Sequence, residues 1–115
     1  MRYVLLILTV VFAAPAVGAD ENEQSIDGKA VYDKWCAICH GEDNGSSGGG
    51  THALKVLYKG AVSAKLEDRT DLSPLFIKTL VRQGRAGMPN FRYTEISPAE
   101  LEAIIAYLTR NNDSE

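Results

Sequence analysis

Five consecutive residues, Cys36-Ala37-Ile38-Cys39-His40, hold both cysteines of the chain and one of its two histidines. Thiols at this spacing support several chemistries. A disulfide across two intervening residues suits an oxidising compartment, but so short a loop restricts the unfolded chain very little and makes a poor staple. A thioredoxin-like redox pair needs a strand feeding the motif and alternating strands and helices around it, and no such pattern is visible here. A zinc site needs further soft ligands, and only His52 is at hand. The remaining reading uses all three side chains together. Cys-x-x-Cys-His is the attachment pattern of c-type haem. Its two thiols reach the vinyl groups of one porphyrin edge and form thioethers, and the histidine that follows lies under the ring, where its imidazole can ligate iron.

Iron held by histidine is either left open, for gas binding or peroxide chemistry, or closed by a second side chain. Closure by methionine raises the reduction potential and favours electron transfer. The chain has two methionines. Met1 would leave with the leader segment described below, so Met88 is the only thioether expected in the mature chain. A lone methionine is commonly core filler, but Met88 lies in Gly84-Arg85-Ala86-Gly87-Met88-Pro89-Asn90-Phe91. Pro89 turns Met88 away from helical backbone geometry, and Gly84 and Gly87 permit the close approach of a loop to a flat ring. His52 is the rival ligand; bis-histidine ligation would lower the potential. The alternative to an electron carrier is a haem sensor or peroxidase with an open or labile sixth position, for which His52 is the one available distal acid–base residue.

Three amphipathic segments can position these groups. The first runs from about Ile26 to Cys36, with Ser25 or Asp27 as cap and Gly28, Val31, Tyr32 and Trp35 at helical spacing. The second opens at Ser73-Pro74, carries Phe76, Ile77, Leu80 and Val81, and stops at Gly84. The third opens with Ser97-Pro98-Ala99-Glu100, a capping box with proline at the first helical position, and continues through Leu101, Ile104, Ile105 and Leu108. No stretch alternates at period two, so the predicted class is all-α. The segment 44–50 holds four of the ten glycines and reads as a flexible linker. Residues 55–66 are ambiguous, with at most one or two helical turns.

Ahead of these segments, Val4 to Val17 is almost continuously apolar, Arg2 is the only preceding charge, and Val17-Gly18-Ala19 offers small residues for a signal peptidase. This predicts a signal peptide over residues 1–19 and export to the periplasm, where c-type haem is attached, with a retained N-terminal anchor as the other reading. Removing 19 of the 115 residues leaves 96 as one domain, 20–115, and the loss of Arg2 takes the formal charge from −3 to −4. A small acidic domain argues against nucleic acid as a partner, since phosphate binding needs a concentrated positive face. With the leader removed, stable membrane insertion is not expected either.

The residues together resemble a class I cytochrome c, a monohaem electron carrier with His/Met-ligated iron. The resemblance rests on Gly28 and Tyr32 before Cys36-Ala37-Ile38-Cys39-His40, on Gly87-Met88-Pro89, and on Leu101 to Leu108 ending in Ala106-Tyr107-Leu108. It implies one covalently attached haem c bound through Cys36, Cys39, His40 and Met88, and no catalysis by the chain alone. It also implies N- and C-terminal helices that cross at Gly28, with Tyr32 against Ile104 and Tyr107. The proline that often follows the haem motif in such proteins is absent; Gly50-Thr51-His52-Ala53-Leu54 stands there, and a backbone carbonyl near Thr51 is the expected acceptor for His40. A narrower likeness, over Arg69-Thr70-Asp71-Leu72, Val81-Arg82-Gln83-Gly84, Met88 to Arg92 and Thr94-Glu95-Ile96-Ser97, is to the small cytochrome subunits of flavin-dependent dehydrogenases such as p-cresol methylhydroxylase. It would make a flavoprotein the electron donor. Redox encounters are small, transient and steered by charge, and Arg82, Arg85 and Arg92 flank Met88 where they could ring the haem edge. Arg69 is expected either at a haem propionate or at the plain surface.

Overall fold

A computed structural model describes residues 25–43 and 49–112. The expected signal peptide lies outside them, as does most of the glycine-rich linker. Every named element among the described residues is a helix; their one β-type pairing is the isolated bridge between Arg85 and Met88. The all-α expectation holds.

Helix α1 spans Gly28–Trp35, and Asp27 rather than Ser25 caps it, its carboxylate accepting from the backbone N–H of Lys29 and Ala30 at 2.9 and 3.3 Å. At Cys36 the chain bends into α2, Ala37–His40, a single turn that carries the second cysteine and the histidine. Helix α3, Gly50–Tyr58, was hidden in the sequence because its N-cap is Gly49, which supplies no side-chain oxygen. It ends at Lys59, held at φ 50°, with Gly60 at φ 85°. The stretch 55–66, read as ambiguous, thus holds the last turn of α3, and a 3₁₀ turn at Leu66–Asp68 begins at its end. Helix α4, Pro74–Gln83, starts where Ser73 accepts from the Phe76 N–H and stops at Gly84, whose φ is 70°. Helix α5, Pro98–Leu108, carries the complete capping box, Ser97 and Glu100 each accepting from the other's backbone N–H.

The core is one cluster of Val31, Tyr32, Leu72, Ile77, Val81, Ile96, Leu101, Ile104, Ile105 and Leu108. It buries α1 and α4 against α5. Gly28 sits on the backbone of α5: a Cβ there would come within 2.0 Å of the Ala103 carbonyl oxygen, so only glycine lets the helices meet. Glycine near a helix start costs up to about 1 kcal/mol. The close approach buries Tyr32 and Ile104 completely, each worth roughly 2 kcal/mol, so the contact wins. Tyr32 stacks on Tyr107 with ring centroids 5.6 Å apart, as expected. Phe76, counted in the core stripe from its spacing, instead remains 47% exposed, while Ile96, alone in the turn before α5, is fully buried.

Candidate haem site

The bend at Cys36 sets the site. His40 N–H donates to the Cys36 carbonyl at 2.8 Å, closing one helical turn that places the two thiols and the imidazole in succession. Both cysteines are free thiols. Burial, and then the neighbouring Cys39, push the Cys36 thiol up to about 11. It is therefore protonated at neutral pH, unlike the low-pKa nucleophile of a thiol oxidoreductase. Nor do the described residues gather three His, Cys, Asp or Glu side chains in a set that could hold a bare metal ion.

His40 is half-buried, and burial holds its imidazole below the ordinary histidine range, in the neutral form that ligates metals. Gly50, the first residue of α3, lies against the ring: a Cβ there would stand 2.6 Å from Cε1 and 2.9 Å from Nδ1. The expected carbonyl acceptor near Thr51 is not made. Nδ1 is buried without a hydrogen-bond partner, and Thr51 instead turns its hydroxyl to the main chain of the motif, donating to the Gly41 carbonyl at 2.8 Å.

Met88 reaches the same core through a tight turn. Its N–H donates to the Arg85 carbonyl at 2.9 Å and its carbonyl accepts from the Arg85 N–H at 3.1 Å, with Ala86 at φ 52° between them. Phe91 then meets Trp35 edge to face at 5.9 Å. That contact ties the segment after Met88 to the residue before Cys36, and Cys36, Trp35, Met88 and Phe91 all pack against the same core cluster.

These residues fit a haem. Two free thiols stand in the same turn as a neutral imidazole, and the backbone of Gly50 closes against that ring where no side chain would fit. Trp35 Nε1 and His40 Nδ1, on either side of the thiols, are buried polar atoms without partners, which native proteins rarely leave. Ile38, between the two cysteines, is 88% exposed and would be covered by an apolar group joined to those thiols.

Other candidates fall elsewhere. His52 is not in a loop but on α3, the helix that presses Gly50 on His40, with Nδ1 3.9 Å from an Asp43 oxygen. Arg69 is neither at the surface nor free for a propionate: it is buried, held by Asp71 at 2.5 and 2.7 Å, and lies over the Tyr58 ring at 5.0 Å. Arg82 donates to the Phe91 and Ile96 carbonyls at 3.1 and 2.9 Å, and Arg92 bonds Glu95 at 3.5 Å. Of the three arginines read as a ring, Arg85 alone stays exposed without such a contact.

A helical domain folded around a Cys-x-x-Cys-His turn, with a methionine turn on the same core, is a small c-type cytochrome domain. The family model described as cytochrome c oxidase, cbb3-type, subunit III matches residues 23–108, and the chain belongs to that family. No curated protein and no solved structure matches it. Membership brings covalently attached haem c and an electron-transfer role. No described helix is long and apolar enough to cross a membrane.

Proposed function

We propose that the chain is a monohaem electron carrier in which Cys36 and Cys39 would make the two thioether bonds and His40 and Met88 would ligate the iron. The observation that carries this reading is that Cys36 and Met88 both pack against a single core, with their near neighbours Trp35 and Phe91 in edge-to-face contact. The haem, once attached, supplies one-electron oxidation and reduction at iron. The chain's own residues hold that centre still. The core fixes Cys36, α3 holds the imidazole, and the Arg85–Met88 turn presents the thioether, so that little geometry changes between redox states.

A peroxidase or sensor would need an open position with an acid–base residue across from His40. His52 was the one residue available for that work, and it sits on the helix that packs against His40. Export, cleavage after Ala19 and residence in the periplasm belong to the same proposal and rest on residues 1–19 of the sequence. The partner is a redox protein. The residues behind the likeness to dehydrogenase-paired cytochromes have internal work here: Arg69 pairs with Asp71, Arg82 braces two carbonyls and Ser97 caps α5. A flavoprotein dehydrogenase as that partner rests on the sequence likeness alone.

The test is an optical spectrum of the purified protein, oxidised and then reduced, with carbon monoxide added last. We expect a sulfur-to-iron charge-transfer band in the oxidised form and no response to carbon monoxide. Ready carbon monoxide binding without the sulfur band would overturn the His40/Met88 assignment.

A further inference from the structure

Helix α2 is one turn long, so the carbonyls at its C-terminal end have no partners within it. Side chains from the two neighbouring helices take them. From α1, the Tyr32 hydroxyl donates to the His40 carbonyl at 2.8 Å. From α3, the Thr51 hydroxyl donates to the Gly41 carbonyl at 2.8 Å, with the Cys39 carbonyl 3.4 Å away on the same side. The His40 and Gly41 carbonyls are thus held from two directions, with the Cys39 carbonyl close to the Thr51 hydroxyl.

Both donors are rigidly held. Tyr32 is fully buried, its ring fixed between α1 and α5, and Thr51 is 5% exposed. The peptide plane before the His40 Cα is held by the His40 N–H on the Cys36 carbonyl, the plane after it by the Tyr32 hydroxyl on the His40 carbonyl, and the next by Thr51 on the Gly41 carbonyl, so the direction of the His40 Cα–Cβ bond is set. Gly50, next to Thr51, then bounds the ring itself. One short piece of α3 therefore bears on both the backbone and the imidazole of His40.

We propose that Tyr32 and Thr51 are positioning residues for the axial histidine, a two-sided hydroxyl clamp that fixes the plane and height of the His40 imidazole. This rests on the reading of His40 as an iron ligand. A merely structural role would lower stability and nothing else. A clamp would also alter the ligand's orientation at the iron.

The experiment uses the haem-loaded full chain and the variants Tyr32→Phe, Thr51→Val and Thr51→Ser. Tyr32→Phe keeps the aromatic ring against Tyr107, Thr51→Val keeps shape without the hydroxyl, and Thr51→Ser returns the hydroxyl. The readouts are hyperfine-shifted proton resonances of the haem methyls and histidine ring in the oxidised protein, the reduction potential, and the fraction of iron that loses histidine under mild denaturant. Tyr32→Phe and Thr51→Val should each move the hyperfine pattern and the potential. Each should raise the histidine-detached fraction about fivefold, the loss of roughly one net hydrogen bond, and Thr51→Ser should restore all three. Should Tyr32→Phe fail to fold, the valine–serine pair at Thr51 decides the matter alone. Hyperfine pattern and potential unchanged, with only the melting temperature lowered, would overturn the clamp. Wild-type spectra without a histidine ligand would overturn the ligand assignment, a distinguishable failure.

Discussion

Met88 is delivered by a turn whose glycine stands one position later than backbone geometry would ask. Ala86 holds φ at 52°, in the left-handed region, while the adjacent Gly87 does not use its freedom there. An L-residue in that conformation costs roughly 1–2 kcal/mol, so the turn persists because its neighbours hold it: the two Arg85–Met88 hydrogen bonds on one side and Phe91 against Trp35 on the other. Met88→Ala should leave haem attached through the cysteines while opening the iron to carbon monoxide, and should cost about 2 kcal/mol for a half-buried methionine. Optical titration with carbon monoxide, beside urea unfolding, measures both; unchanged ligation spectra would defeat the assignment of Met88. The residues proposed to hold the haem stand out at this scale because thiols, imidazole and thioether are rare, chemically specific groups in this chain. Tyr32 and Thr51 were not readable as partners of the motif, since each bonds a backbone carbonyl, and every residue in a sequence has one.

Helices whose ends carry polar caps could be seen before the fold was known. Asp27, Ser73 and Ser97 each satisfy an exposed N–H at a helix start, and the apolar residues that follow repeat at helical spacing. Helix α3 has neither mark, because Gly49 offers no cap and half of its apolar residues face outward. Ile96 escaped for a related reason: a single buried residue in a turn has no period. The strongest of these ends is also pH-sensitive. The Ser97 backbone N–H, and then its hydroxyl, hold the Glu100 carboxyl below the usual glutamate value of 4.5. A folded-state pKa depressed in this way contributes stability that is complete above the unfolded value and is lost as pH falls through the folded one. Ser97→Ala should cost about 1 kcal/mol at neutral pH. The stability gap between wild type and Glu100→Gln should shrink as pH drops well below 4.5. Urea midpoints across that range check both, and a gap independent of pH would remove Glu100 from the account.

Across the whole domain, the crossing of α1 and α5 joins the segment that bears the thiols to the last helix of the described chain. Gly28→Ala would drive a Cβ into the Ala103 carbonyl, 2.0 Å away, where no flexible side chain can yield. Overpacking of that kind costs about 3 kcal/mol, set against the gain of at most about 1 kcal/mol from better helix propensity. Calorimetry should therefore show a clear fall in melting temperature, and an unchanged one would mean that the helices can separate at no cost. The crossing was legible in outline from Gly28, Tyr32, Ile104 and Tyr107. Its tightness was not, because the residue that sets it, Ala103, is met through its backbone.

Trp35 is the chain's one tryptophan, and it directly precedes Cys36. A porphyrin joined to that cysteine lies within energy-transfer range of the indole whether the protein is folded or not, because the covalent link survives unfolding. With haem attached at Cys36, as proposed, tryptophan emission should therefore be dark in both states and should not follow denaturation. It brightens only in molecules that never received their haem, which makes the indole a fluorescent counter of failed maturation in any preparation.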